Sequence, residues 1–129
     1  MGRKLYQEMA EYWPTSNEEF AEPMNTIPKV VFFRTLKQTG WNNSRIVSGD
    51  VAEEIARLKQ ESGKDILVHG GAEFFQALSK LGLIDEYRLI VHPVVLSAGL
   101  SLFAEAMDLK LLGSKAFPAG AIALTYGRA

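Results

Sequence analysis

The chain has 129 residues, 47% of them hydrophobic and 22% charged, and its 14 basic and 15 acidic side chains leave a net charge of −1. That is the composition of an ordinary globular protein, and one domain is the expectation at this length. With no cysteine, a disulfide framework, a zinc–thiolate or iron–sulfur centre and a cysteine nucleophile are excluded. The basic residues stand singly, often beside acidic ones, which argues against a nucleic-acid surface. The longest uncharged stretch, Leu89 to Ala104, is interrupted by His92, Pro93, Ser97, Gly99 and Ser101 and is too short to span a bilayer. Met1-Gly2-Arg3-Lys4 has no apolar signal region, so a cytoplasmic protein is expected.

In chain order, Leu5, Met9, Tyr12 and Trp13 recur at helical steps and predict a short amphipathic helix stopped by Pro14. Thr15 to Thr26 is polar and reads as a loop with one helical turn at Asn17 to Ala21. Lys29-Val30-Val31-Phe32-Phe33 is a continuous apolar run behind Pro28, the pattern of a buried strand. Gly40 to Ser44 is turn chemistry, and Arg45-Ile46-Val47 is a second, short strand. Asp50 and Glu53 form a capping-box-like pair that opens a helix with Val51, Ile55 and Leu58 inward and Gly63 as its C-cap. Asp65-Ile66-Leu67-Val68-His69 reads as a strand, and Ala72 to Leu81 as a helix with Phe74, Phe75, Leu78 and Leu81 inward. Glu86 to Leu96 predicts a long strand. Asp108–Phe117 and Ala121–Tyr126 predict a hairpin through Pro118-Ala119-Gly120. Helices alternating with strands in the middle imply parallel pairing, so the fold class is α/β with a mixed sheet and a C-terminal antiparallel hairpin.

Three places carry candidate chemistry. Gly70-Gly71 links the Asp65–His69 strand to the next helix, where free backbone N–H groups and the positive helix end suit a phosphate. Taken alone, two glycines before a helix more often serve only a tight connection. Gly2-Arg3-Lys4-Leu5 sets two cations at a helix N-terminus, against the helix dipole, which fits either an anion site or a frayed chain start. Arg34-Thr35 follows the first strand at its carboxyl end, where α/β sheets bind ligands; Arg34 is either a phosphate clamp or a surface residue. The two histidines, His69 and His92, have no metal-ligand spacing, and no nucleophile elbow is present. His92 reads as a strand residue with a half-buried ring, and His69 as a hydrogen-bonding neighbour of the Gly-Gly turn.

Taken together, Gly2-Arg3-Lys4-Leu5-Tyr6, Lys29 through Leu36, Asp65 through Phe75, Gly82 through Tyr87, Gly99 through Phe103 and the closing Leu124-Thr125-Tyr126 resemble the dihydrofolate-reductase-like superfamily. Within it they are most similar to the reductase (C-terminal) domain of the bifunctional riboflavin-biosynthesis deaminase/reductase and its stand-alone bacterial relatives. The resemblance covers the whole chain as one domain. It implies an NADPH-dependent reductase acting by hydride transfer on a pterin- or ribosylaminopyrimidine-like heterocycle. A non-catalytic nucleotide-binding or oligomerising remnant is the alternative. It also implies which residues hold NADPH: Gly2, Arg3, Lys4 and Leu5 at the pyrophosphate, Arg34 and Thr35 at the adenosine 2′-phosphate, and His69, Gly70, Gly71, Ala72 and Glu73 along the phosphates and nicotinamide ribose. No catalytic residue is assigned, and no metal. Leu5 stands where the family has a threonine and Phe33 where it has a serine, so two side-chain hydrogen bonds of about 0.5–1.5 kcal/mol each are missing and backbone donors carry more of the site.

Family members place a strand, a helix and a second strand before the Gly-Arg motif, whereas this sequence begins at that motif. An apparent N-terminal truncation of this kind removes the usual neighbours of the Asp65–His69 strand. Either a longer product supplies them, or the sheet closes differently, or a second copy fills the gap. A homodimer is the expected assembly.

Overall fold

In the computed structural model, residues 1–33, 35 and 40–129 are described, and Arg34 and residues 36–39 lie outside the described set. The chain divides into two compact units, Met1–Phe75 and Gln76–Ala129. The first unit opens with helix α1 (Arg3–Tyr12), which passes into a single 3-10 turn, Trp13–Thr15. Pro14 sits in that turn rather than ending the chain direction abruptly, because its fixed φ is tolerated at the start of a helical turn. The buried face of α1 is carried by Tyr6, with Met9, Ala10 and Trp13 beside it; Leu5 is only half-buried and Tyr12 is half-exposed. The expected stripe is thus rotated by one position toward Tyr6.

The next helical turn is displaced from its expected place at Asn17–Ala21 and forms α2, Ala21–Thr26. Pro23 lies in its first turn, where a missing N–H costs nothing. Strand β1 (Lys29–Phe32) and strand β2 (Ser44–Val47) then pair in parallel, Lys29 with Ser44 through Phe32 with Val47. The other side of β1 receives Met1 and Gly2: the Met1 amine donates to the Val30 carbonyl at 2.8 Å, and Phe32 N–H donates to the Met1 carbonyl at 2.9 Å. Burial lowers the Met1 ammonium to a pKa of about 6. Flanked on both sides, β1 places Val31 in the core with no exposed surface, packed with Tyr6 and Trp41.

Lys29, at the start of β1, is 4% exposed. Its ammonium donates to the carbonyls of Asn25 (3.3 Å), Ile27 (2.8 Å) and Asn42 (2.9 Å) and lies 4.3 Å from the centre of the Trp41 ring. Three carbonyls and an aromatic face replace its water shell, which is what makes such burial tolerable. Trp41 is held in turn: Tyr6 Oη accepts from its backbone N–H, and its indole N–H donates to Asn25 Oδ1 at 2.7 Å.

Helix α3 (Val51–Gln60) begins as the sequence predicts, with Asp50 accepting from Glu53 N–H at 3.1 Å. It ends at Glu61, two residues before the expected cap Gly63. The larger departure follows. Asp65–His69 is not a strand: residues 65–71 carry no helix, turn or ladder, Ile66 is 49% exposed and Leu67 56%. Its apolar side chains ask for burial, but among the described residues no strand lies alongside Ile66–His69 to pair with it. His69 is exposed.

Helix α4 (Ala72–Lys80) begins in the first unit and ends in the second. Gly82, at φ +67°, closes it: Gly82 N–H donates to Ser79 O and Leu83 N–H to Leu78 O, both at 3.0 Å, a Schellman pair. Leu78 is buried as expected; Leu81 is exposed, one residue past the helix. In the second unit, β3 (Glu86–Val91), β4 (Leu109–Ala116) and β5 (Ile122–Arg128) form an antiparallel sheet in the order β3-β5-β4. The predicted hairpin is β4–β5, turning at Gly120 with φ +98°. The expected strand to Leu96 stops at Val91, and His92 and Val94–Leu96 beyond it are exposed, not half-buried. Tyr87 and Ser79 share a buried hydroxyl–hydroxyl hydrogen bond of 3.0 Å, and Arg128 donates to the Ile84 and Gly82 carbonyls. The fold is α/β, with a parallel pair in one unit and an antiparallel sheet in the other.

Candidate functional site

Every described site residue expected from the sequence falls within the first unit. Parallel β1 and β2 point their carboxyl ends the same way, and the chain leaves β2 through Ser48-Gly49 to enter α3. A cavity of about 370 Å³ opens there, lined by Phe32, Phe33, Thr35, Val47, Ser48, Gly49, Val51 and Phe74. It is the strand-end crevice in which α/β folds bind ligands. Its floor is aromatic: the Phe32 and Phe74 rings are 5.2 Å apart and tilted by 36°.

Phe74 also joins the glycine patches. It stands in the first turn of α4, directly after Gly70-Gly71, and a Cβ placed on Gly2 would lie 3.6 Å from Phe74 Cβ. Gly2 is bridged to Phe32 at the end of β1. Gly2, Phe32 and Phe74 thus bring the start of α1, the end of β1 and the first turn of α4 together within the first unit.

Helix α1 offers its free end here. Its first internal bond is Tyr6 N–H to Gly2 O at 3.1 Å, so the N–H groups of Arg3, Lys4 and Leu5 have no acceptor inside the helix. No side chain caps it and no acidic residue lies in its first turn. Arg3 lays its guanidinium over the Phe33 ring, 5.3 Å from the centroid, beside the cavity wall. Among the described residues neither Arg3 nor Lys4 has a carboxylate partner, and both are exposed, while Leu5 is half-buried. Helix α3 is the opposite case. Asp50 already accepts from the Glu53 N–H, and Glu53 and Glu54 follow in the first turn, so negative charge surrounds that helix end. Of these two helix N-termini, only that of α1 is free of acidic residues and of a side-chain cap.

The Gly70-Gly71 connection bears a cis peptide, with Gly70 at φ +108°. A side chain at Gly70 is excluded by that backbone angle, whereas a Cβ on Gly71 would meet nothing within 4 Å. Ala72 is half-buried and Glu73 is exposed in the first turn of α4, where its charge suits the helix dipole and competes with an incoming anion. Thr35 lines the cavity; Arg34 lies outside the described residues. Sequence reasoning missed Val47, Ser48, Gly49 and Val51. The signal was present, since Ser48-Gly49-Asp50 is a second strand-to-helix turn of the kind noticed at Gly70-Gly71. Among the described residues no group of acidic or histidine side chains is placed to hold a metal, and no helix is long and apolar enough to cross a membrane.

The chain is 32% identical over 133 residues to the uncharacterized protein YyaP of Bacillus subtilis (strain 168), which spans 97% of this chain and 70% of that relative. The uncharacterized protein YwjB of the same organism is 46% identical over 77 residues, 57% of this chain and 44% of YwjB. Among solved structures, a putative riboflavin biosynthesis protein from Shewanella sp. PV-4 superposes with a TM-score of 0.79 at 21% identity, covering all of this chain and 72% of that one. A pyrimidine reductase-like protein from Corynebacterium diphtheriae NCTC gives a TM-score of 0.51 at 16% identity over 76% of this chain and 48% of that one. These likenesses establish the shared fold. The model of the RibD C-terminal domain matches residues 1–123, and the chain belongs to that family of reductase-like domains.

Proposed function

We propose that the chain is an NADPH-dependent reductase domain that passes hydride to a pterin- or ribosylaminopyrimidine-like heterocycle in the cytoplasm. The observation that carries this reading is the acid-free, uncapped end of α1, with Arg3 stacked on Phe33 at the wall of an aromatic-floored cavity. A phosphorylated dinucleotide needs donors and positive charge for its phosphates and an apolar slot for a ring. Both are present within one unit. The N–H groups of Arg3, Lys4 and Leu5 would hold the pyrophosphate, with the Arg3 and Lys4 charges adding to the helix end. Phe32, Phe33 and Phe74 offer faces for a planar base and exclude water around it. Thr35, with Arg34 beside it in sequence, would meet the 2′-phosphate; Gly70, Gly71 and Ala72 let the backbone come close to the ribose and phosphates, flanked by His69 and Glu73. When bound, the dihydronicotinamide supplies the hydride; the residues named here bind and orient.

The test is a calorimetric titration of NADPH against the wild type and Arg3→Ala. Tight binding that weakens about tenfold or more in Arg3→Ala supports the site. Equal affinity in both proteins overturns it. NADPH oxidation followed by absorbance with reduced-pterin and aminopyrimidine substrates then separates a working reductase from a domain that binds and does not turn over.

A further inference from the structure

Among the described residues every arginine but one has a carboxylate partner. Arg45 meets Glu61 at 2.9 Å, Arg57 meets Glu54 and Arg88 meets Glu86 at 2.6 Å, and Arg128 lies 3.6 Å from Asp85. Arg3 is held instead by a ring, its guanidinium carbon 5.3 Å from the centroid of Phe33. The two kinds of partner differ in what they leave free. A carboxylate takes donors from the guanidinium fork and cancels its charge, whereas an aromatic face holds the plane of the group and leaves its N–H edge unspent. We propose that Phe33 is a positioning residue, whose ring presets the Arg3 guanidinium to grip a diphosphate bidentately at the start of α1. This rests on the reading of that helix end as the cofactor's pyrophosphate site.

The ring is anchored well enough to serve. Phe33 N–H donates to the Val47 carbonyl at 3.0 Å, which ties the residue to the end of β2. Its side chain packs against the Tyr6, Val31 and Trp41 cluster and lines the cavity. Arg3 is exposed, and an exposed arginine loses rotamer freedom when it closes on a ligand. Stacking removes part of that freedom beforehand, so less is lost for each hydrogen bond formed. Lys4, the neighbouring cation, is an exposed point charge on a flexible stem and adds attraction without direction. Phe33 thereby acts on the ligand through Arg3, separately from any face it offers to a base.

Inorganic pyrophosphate, which carries no base, is the probe, titrated calorimetrically beside NADPH. Phe33→Leu keeps an apolar side chain in the wall and removes the face under Arg3, so it should weaken both ligands about two- to fivefold. Phe33→Tyr restores the face and should bring both affinities back to within about 1.5-fold of wild type. In an Arg3→Ala background Phe33→Leu should have no further effect on pyrophosphate, because no guanidinium is left to orient. Arg3→Lys keeps the charge at an exposed position and should still weaken pyrophosphate about threefold or more. Thermal unfolding checks the fold of each variant, and if Phe33→Leu does not fold, the Arg3→Lys titration decides. Loss of NADPH but not pyrophosphate affinity in Phe33→Leu, or equal losses with and without Arg3, would show that the ring serves only the base and overturn the proposal. Wild-type pyrophosphate affinity in Arg3→Lys would overturn it too. Failure of the cofactor-site reading looks different: Arg3→Ala then changes neither ligand, and this proposal falls with it. Where Arg3→Ala weakens both ligands and only its coupling to Phe33 is missing, the site stands and the role of Phe33 alone is refuted.

Discussion

Lys29–Phe32 and Asp65–His69 are nearly the same kind of sequence, a short apolar run opening on a charged residue, yet the molecule treats them oppositely. The first has β2 on one side and Met1–Gly2 on the other, and its Val31 is fully buried. The second has no ladder on either side among the described residues, and its side chains are half in water. Hydropathy states what a segment would gain by burial; only neighbouring chain can deliver it, because a strand must satisfy its backbone as well as its side chains. The lesson is that an apolar run establishes a demand for partners rather than their presence.

The sharpest way to break this comparison is to put a charge into each run. Val31→Asp should cost more than about 4 kcal/mol and leave the chain largely unfolded, since a buried carboxylate there has no partner. Leu67→Asp should change stability by less than about 0.5 kcal/mol, because Leu67 is already open to water. Urea unfolding of the two variants reads the contrast, and a loss of several kcal/mol in Leu67→Asp would mean the segment is packed in solution.

Next in size is a change just beyond the exposed run. Gly71→Val should lower NADPH affinity at least about 100-fold, about 2.7 kcal/mol, while α4 remains intact by circular dichroism. A Cβ on Gly71 would meet nothing within 4 Å beyond its chain neighbours, so a branched side chain there is expected to obstruct a bound ligand rather than the fold. Unaltered binding in the folded variant would reduce Gly70-Gly71 to a tight connection. At the end of the paired run, Arg34→Ala should weaken NADPH by about 2 kcal/mol and leave NADH nearly unchanged, because only the former has a 2′-phosphate. Equal losses for both cofactors would remove Arg34 from that role.

How legible was all this in the sequence? Locally determined features were read almost to the residue: the Asp50–Glu53 cap, the glycine stop at Gly82 and the β4–β5 hairpin each depend on side chains within a few positions. The burial of α1 was misjudged by one position because Tyr6 was chosen by its hydroxyl as well as its ring, which reaches Trp41 N–H thirty-five residues away. Asp65–His69 and Val94–Leu96 were read as strands because periodicity reports only side chains, while strand formation depends on distant backbone. At the site, the glycines and Arg3 were visible as departures from what a helix end prefers. The wall formed by Val47, Ser48, Gly49 and Val51 was less visible, since nothing local distinguishes a turn that lines a cavity from one that faces water.

The smallest effect tests what holds the paired run at its base. Lys29 opens β1 with its ammonium enclosed by three carbonyls and the Trp41 ring, and burial lowers its pKa from the ordinary 10.5. The unfolded chain therefore binds this proton more tightly than the folded one. Stability contributed by Lys29 must then rise with pH through the interval just below 10.5, and become constant above it. Lys29→Met removes the titrating group but leaves the carbonyls short of donors, so the variant should be less stable at every pH yet lack this part of the slope. The measurement is the difference between wild-type and Lys29→Met unfolding free energies at about pH 8 and about pH 10, where a gap that widens with pH is expected. A gap that stays constant would show that the carbonyl cage fully offsets the loss of water, and that β1 is anchored by a lysine whose charge costs the fold nothing.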